Sequence, residues 1–487
     1  MCARWITDGP PPLDEFRGLV TAALSRLESV SRVRFGDTHT PLLVSVRSGA
    51  PASMPGMLDT VLNVGLTSST MAGLIEMTGN PHLAWDCYLR LIESYAGAVR
   101  SIEARVFRDT AAKKLKALGT TTLRDLDTLA LRGMVSDYLD VYADAAGEPF
   151  PQDPFAQLLA AIDAVFRSWN SARARSYRRI NRLEGLPGTA VAVQRMVFGN
   201  AGPRSGAGVG FTRDPATGDR RLYLDFAFDA QGEDVVSGRC PVAGTNDIER
   251  LLPDVARALE HLAERLEQVF RDAQDFEFTV EEGVLWLLQT RDAKRSNWAG
   301  LRIAIDLARE ELITREEALR RVTDLDLAHL ARRSLAGANG TPIASGVAAG
   351  IGVVAGAVVF SVEAAREEAR LGRRVILVRD DIATDDIDGI MSAEGVLTAR
   401  GGRTSHAAVV AREFGKVAIV GCPALAFSAD GKSCVIGGRR LSSGDIITLD
   451  GDSGHVYVGA MSVVETRPEA ELLLIETWKK ATTIQPA

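Results

Sequence analysis

The chain is 487 residues long, with 46% hydrophobic and 24% charged residues, a balance that excludes disordered, collagen-like and disulfide-stapled chains. At about 150 residues per domain, this length predicts roughly three domains, or two large ones with a connector. Acidic residues outnumber basic ones 63 to 56, for a net charge of −7, which argues against a broadly basic nucleic-acid binder.

The N-terminus, MCARWITDGPPPLDEF, carries an acid and three prolines where a secretory signal needs a basic start and an apolar stretch, so export is not expected. Phe16, Leu19, Leu24 and Leu27 recur at helical spacing between Leu13 and Val33, and LLVSVRSGA then predicts a strand running into the loop of residues 48–57. From Leu83 to about Ser171 the pattern is helical, broken at Gly119 and by GEPFPQDP. After Gly188 the period becomes strand-like: TAVAVQRMVF, GVGFT, a DPATGD turn and RLYLDFAF predict an antiparallel sheet. Residues 247–272 predict one amphipathic helix, with Leu251, Val255, Leu259, Leu262, Leu266 and Val269 on one stripe. FEFTV and VLWLLQT follow as a hairpin, and residues 297–333 as a helical connector.

Ser334 to Val362 carries no charge, but its glycines argue for short buried strands with glycine turns rather than a membrane helix. RVILVRDD, GVLTARGG, a helix from about Ser405 to Glu413, and VAIVG then predict a small α/β unit. IITLD and HVYVG close it, and residues 463–487 form a partly helical tail. Cys2, Cys87, Cys240, Cys422 and Cys434 show no CxxC or CxxxC spacing, which predicts a reducing cytoplasmic compartment and no structural zinc.

The sharpest chemical feature is LTARGGRTSHAAVVAREFGK, where a glycine pair precedes Thr404, Ser405 and His406 at a helix N-terminus. Imidazole is a neutral nucleophile near pH 7, and a phosphoryl group on it would meet free helix amides and the positive helix end. Thr404 or Ser405 can cap the helix and fix the ring. The plainer reading, caps followed by a polar first-turn histidine, is the one favoured by physics alone. His39, His82, His261, His329 and His455 lack such a setting and read as surface or satisfied structural residues.

Eight of the basic residues are lysines, so an anion site would rest on arginine, whose planar fork grips phosphate bidentately. Arg47 before the Gly/Ser/Met loop, Arg90 on the first insert helix and Arg291 after a strand end are three cations that could converge on phosphate oxygens. Glu277 and Gln289 sit at a parity that lets both face one cleft, where a carboxylate and an amide could hold a phosphate-bound Mg²⁺. Taken singly, each charge reads as a solvated surface residue or a salt-bridge member. Gly206, Gly208 and Gly210 at alternating positions read as allowing close packing.

TSHAAVVAR after TARGG resembles the phosphohistidine signature of the pyruvate phosphate dikinase and phosphoenolpyruvate synthase family. VILVRDDIATDDIDGIMSAEGVLTARGG is similar to that family's swivelling domain, and LLVSVRSGAPASMPGMLDTVLNVGL and GVGFTRDPATGDRRLYLDFAFDAQGEDVVSG to its ATP-grasp domain. MPGMLDTVLN, FTRDPATG and FEFTVEEGVLWLLQTRDAKR favour dikinase over synthase, and the resemblance runs from about Leu13 to about Gly459. It implies an α/β and α+β multidomain chain: an incomplete ATP-grasp domain over residues 1–295, with a helical insert at about 83–186, then a linker over 296–338. A swivelling phosphohistidine α/β domain over 339–462 and a tail over 463–487 complete it.

The resemblance implies that His406, with Thr404 and Ser405, is catalytic, that Arg47, Arg90, Met54, Gly56, Glu277, Gln289 and Arg291 bind nucleotide, and that Glu277 and Gln289 hold Mg²⁺. The implied partners are ATP, inorganic phosphate and pyruvate or another acceptor, with no nucleic acid and no membrane. On this resemblance the family's C-terminal barrel is expected to have no counterpart here and to act in trans, and the Gly-Lys-Gly segment that usually precedes this stretch is expected to be missing, since the first lysine is Lys113. Arg403 replaces a usual methionine, and Asp225 a usual glutamate. Two functions follow: a histidine phosphotransferase of the dikinase type, or a non-catalytic nucleotide-binding or regulatory homologue. Phosphorylation of another small molecule, as in antibiotic phosphotransferases with this histidine domain, ranks last for want of a further substrate domain.

Overall fold

The computed structural model describes residues 5, 9, 12–52, 54, 56–120, 122–236, 245–328, 330–337, 340–382, 387–402, 405–428 and 430–483. The chain divides into two compact units, Met1–Val197 and Phe198–Ala487; this division falls inside the stretch expected as one nucleotide-binding domain.

The first unit combines a small sheet with a helical insert. Strand β1 (Val44–Gly49) lies between β2 (Val61–Val64) and β3 (Ala190–Arg195), antiparallel to both. Its inward Val44 and Val46 are fully buried. The insert begins with Pro81–Arg100, where the Asn80 side chain accepts from the Leu83 amide and Pro81 fills the first turn, which needs no donor there. The break expected at GEPFPQDP is built the same way. Gly147 ends one helix at φ 72°, and Asp153 and Pro154 open the next, Pro154–Ser168. Gln157 on that helix is fully buried yet satisfied: it accepts from the Gly65 amide at 3.0 Å and donates to Leu66 O at 3.1 Å.

The second unit opens with a four-stranded antiparallel sheet in the order β5-β4-β6-β7: β4 (Gly206–Phe211), β5 (Tyr223–Phe228), β6 (Gln274–Glu281) and β7 (Val284–Asp292). The β4–β5 turn is the expected DPATGD, in which Asp214 Oδ1 accepts from the Ala216 and Thr217 amides at 2.9 and 3.2 Å. The alternating glycines of β4 have a packing reason. A Cβ on Gly206, Gly208 or Gly210 would lie 2.2–2.5 Å from the rings of Phe226, Phe278 and Phe276, respectively. These rings and helix Pro253–Phe270 form one core.

The single helix expected over 247–272 is two, Thr245–Leu251 and Pro253–Phe270. Pro253 has no N–H to donate and pushes Leu252 out of helical geometry, to φ −136° and ψ 62°. The expected stripe is correspondingly incomplete, since Leu251 and Val269, at the two extremes, are half or more exposed.

Helices Asn297–Arg309 and Arg315–Arg321, capped by Ser296 and Thr314, realise the connector. The tail is not a pendant: Val463–Thr466 pairs antiparallel with Arg332–Leu335, and helix Glu469–Thr483 buries Ile475 and Trp478 in the connector core. On the connector, Glu317 binds Arg320 at 2.7 Å and Arg321 at 2.7 Å, which holds its carboxyl at about 2 against an ordinary 4.5. A lowered folded-state value stabilises above the ordinary one and loses that contribution as the pH falls through 4.5 toward 2. Urea unfolding of wild type and Glu317→Gln is therefore expected to differ at pH 6, to narrow below pH 4.5 and to converge only near pH 2, the difference being modest because the group is near the surface.

The unit ends in an eight-stranded mixed sheet ordered β8-β15-β14-β10-β11-β12-β13-β9. Its strands are β8 (Ala344–Ser345), β9 (Val347–Gly350), β10 (Val353–Val359), β11 (Val375–Arg379), β12 (Gly395–Thr398), β13 (Val417–Val420), β14 (Ile446–Asp450) and β15 (His455–Val458). β10 to β13 run parallel, joined by helices Val362–Arg370, Ile387–Ser392 and His406–Glu413. The uncharged stretch from Ser334 thus forms strands, and among the described residues no helix is long and apolar enough to cross a membrane. Cys87, Cys422 and Cys434 are buried thiols, and burial pushes the Cys434 thiol up to about 11.

Candidate functional site

Because side chains alternate across a strand, one face of the β5-β4-β6-β7 sheet carries the phenylalanine core and the other a polar array. Register places Asp225, Val209, Glu277 and Gln289 in one row across the four strands, and Tyr223, Phe211, Asp275 and Arg291 in the next. Glu277 and Gln289 are thus direct partners, as their parity predicts. A bulge follows this pair: Phe278 opposes Leu287, leaving Leu288 as the extra residue. The expected cation joins the array, with Arg291 Nε 2.9 Å from Asp275 Oδ1 and its Nη2 3.3 Å from Glu277 Oε1.

All three charges are largely buried, and burial sets their acid–base behaviour. Burial pushes the Asp275 carboxyl above the ordinary carboxylate range, against the pull of Arg291. Burial opposes the charge on Arg291 too, but Asp275 and Glu277 outweigh it and raise its value. Asp275 was not among the sequence candidates. Its signal was available in QDFEFTV, where it shares the parity of Glu277. The donor set of Glu277 and Gln289 is a carboxylate beside an amide oxygen, hard ligands of the kind that suit Mg²⁺ held mainly through phosphates.

The first unit holds the other nucleotide candidates. Arg47 lies on β1, half-buried and paired in register with Ala192. Arg90 donates through Nε to Asp86 at 2.9 Å, one helical turn away. Met54 is buried and Gly56 adopts φ 69° in the loop between β1 and β2, whereas Ser53 and Pro55 lie outside the described residues. This loop is tied down by a residue the sequence reading missed: Arg173 donates to Met57 O at 3.2 Å and pairs with Asp59, whose carboxyl burial pushes up. Nothing local to Arg173 announces that contact, which spans more than a hundred residues.

The histidine segment follows β12. Gly401, at φ 110°, lets the chain turn, and Ser405 caps helix His406–Glu413, its Oγ accepting from the Ala408 amide at 3.4 Å. Ser405 is the cap among the two candidates described at sequence level; Thr404 and Arg403 lie outside the described residues, as does the His406 side chain. The His406 backbone opens the helix, so the residue occupies the position where amides lack helical partners. A third glycine supports the turn from the end of β13. Gly421, at φ 59°, leaves room for Gly401 O, which a Cβ would approach to 2.4 Å.

The remaining histidines keep structural or surface settings. His82 Nε2 lies 3.1 Å from Leu126 O, His455 Nδ1 lies 3.4 Å from the Tyr457 hydroxyl, and His39 and His261 are exposed. His329 lies outside the described residues.

Two protein families match the chain. A family described as "Pyruvate phosphate dikinase, AMP/ATP-binding domain" matches residues 14–243, and one described as "PEP-utilising enzyme, mobile domain" matches residues 371–454. Glu277, Gln289 and Arg291 lie between the two matches. The chain is 42% identical over 481 residues to pyruvate, phosphate dikinase of Clostridium symbiosum, covering 98% of this chain and 55% of that protein. It is 40% identical over 500 aligned residues to the enzyme of the same name from Rhizobium meliloti (strain 1021), with 99% and 55% covered. Against pyruvate, phosphate dikinase 1, chloroplastic, of Oryza sativa subsp. japonica it is 41% identical over 467 residues, with 94% and 49% covered. The chain spans about half the length of the curated relatives it matches, and it belongs to the pyruvate phosphate dikinase family of phosphoenolpyruvate-utilising phosphotransferases.

Proposed function

We propose that the chain is an ATP-dependent phosphotransferase that carries a phosphoryl group on His406. The observation that supports this reading most is His406 opening a helix capped by Ser405, where unpartnered amides and the helix dipole favour a bound anion. In the proposed sequence a ring nitrogen of His406 attacks the β-phosphorus of ATP, and the bond to the α-phosphate oxygen breaks to release AMP. Inorganic phosphate then attacks the γ-phosphorus and leaves as pyrophosphate, and monophosphohistidine remains. The second transfer goes to pyruvate or to another acceptor.

Residues of both units take named parts. Arg47, Arg90, Met54 and Gly56 are assigned as nucleotide contacts in the first unit, and Glu277, Gln289 and Arg291 in the second. Glu277 and Gln289 would hold a nucleotide-bound Mg²⁺, whose chemistry is to neutralise charge on the transferring phosphates. Arg291 is kept cationic by Asp275 and Glu277, ready to exchange a carboxylate oxygen for a phosphate oxygen. Thr404 and Ser405 would orient the imidazole. The domain limits that suit this function are 1–295 for nucleotide binding, 296–338 for the linker, 339–462 for the phosphohistidine carrier and 463–487 for the tail.

The test follows the phosphorus atoms. Protein incubated with Mg·ATP and phosphate is expected to retain label from the β-position as an acid-labile adduct, to release γ-label as pyrophosphate, and to lose all labelling in His406→Ala. A wild-type chain that binds ATP but stays unlabelled would instead mark a nucleotide-binding regulatory protein.

A further inference from the structure

The histidine-bearing helix meets the nucleotide sheet through one buried cation. Arg412, in the last turn of helix His406–Glu413, is 3% exposed, and its Cζ lies 5.4 Å from the centroid of the Phe211 ring on β4. The same guanidinium donates through Nη2 to Ala349 O at 3.3 Å. That carbonyl has a particular reason to need a donor: β9 is an end strand of its sheet, and its register with β13 shifts between Ala348 and Gly350, which makes Ala349 the bulged residue. The adjacent carbonyl, Ala348 O, accepts from the Tyr223 hydroxyl on β5 at 3.4 Å. Phe211 and Tyr223 are register partners in the row that also holds Asp275 and Arg291. The helix of His406 and the edge strand β9 therefore touch the nucleotide sheet at the end of its polar array.

We propose that Arg412 is the positioning residue that registers the phosphohistidine helix on the nucleotide sheet, by stacking on Phe211 while it holds the bulged Ala349 carbonyl. A guanidinium suits this task because it can lie flat on a ring and still donate in its own plane. Lysine would keep the charge but lose the simultaneous stacking and directed donation. Its closeness to Asp275 adds a favourable charge. Tyr223 supplies a second, weaker link to the same bulge. The consequence for transfer rests on the carrier reading above, whereas the contact itself does not.

Hydrogen–deuterium exchange and single-turnover labelling on the full chain test the two levels separately. Arg412→Met and Tyr223→Phe are expected to raise amide exchange in residues 347–350 and 406–413, by about tenfold for Arg412→Met if a desolvated cation–π contact is lost. Arg412→Met combined with Phe211→Leu is expected to exchange no faster than the worse single variant, since both remove one contact. In labelling, Arg412→Met is expected to slow phosphoenzyme formation about tenfold at an unchanged half-saturating ATP concentration, with partial rescue by Arg412→Lys. Unchanged exchange in both Arg412→Met and Tyr223→Phe, or additive effects in the double variant, would overturn the proposal. A wild-type chain that takes no label would sink the carrier reading alone, and exchange would still decide whether Arg412 docks the helix.

Discussion

Arg213→Ala is expected to destabilise the second unit by about 3 to 5 kcal/mol, the cost of leaving a buried charge without its partner. Arg213 is fully buried at the end of the β4 strand, in the FTRDPATG segment. Its Nε and Nη2 bind the Glu267 carboxylate at 3.0 and 2.8 Å, and Nη2 also reaches Glu310 at 2.7 Å. One guanidinium thereby joins the sheet, the end of helix Pro253–Phe270 and the end of the first connector helix. The two carboxylates raise its already high value further, so it stays charged at all accessible pH. Removing it strands Glu267, which is nearly as buried. If the loss comes from that orphaned carboxylate rather than from lost packing, Arg213→Met combined with Glu267→Leu recovers much of it, because apolar replacement of a buried pair is often close to neutral. Chemical unfolding of the three proteins measures this, and a double variant as unstable as Arg213→Ala would assign the loss to packing instead.

Arg291→Met is expected to slow ATP-driven labelling by about 100- to 1000-fold, the scale of losing one preorganised donor to a developing phosphate charge. It carries a second signature that separates electrostatics from misfolding. Burial already raises the Asp275 carboxyl, and Arg291 is the main influence pulling it down. Without the arginine, the value rises further. An acid whose folded-state value is raised binds more protons folded than unfolded, so stability falls as the pH climbs from its ordinary range through the raised value. The variant is therefore expected to be relatively more stable at pH 5 than at pH 7, measured against wild type by denaturant midpoint. Arg291→Met with Asp275→Asn should lose that pH dependence while remaining slow to label. A rate within a few-fold of wild type would remove Arg291 from the nucleotide contacts.

Local signals carried much of the architecture. DPATGD is a turn because an aspartate can accept from amides two and three residues on. Ser405 before His406 reads as a cap for the same kind of reason, a short side-chain oxygen beside unpartnered helix amides. The parity of Glu277 and Gln289 places them together once the hairpin is recognised. The Pro253 break was equally local, and the long apolar stripe obscured it.

What the chain order could not convey was which distant partner each side chain meets. Arg213 with Glu267 and Glu310, Arg173 with the loop at Met57, and the pairing of Arg332–Leu335 with Val463–Thr466 all join residues separated by 50 or more positions. The Ala349 bulge and its capture by Arg412 depend on a register shift between β9 and β13. Sequence alone fixed the turns, caps and strand faces because these follow from backbone geometry within a few residues. Only the tertiary structure chose among the many arginines and acids, because ion-pair choice depends on which surfaces are brought together and dried by packing.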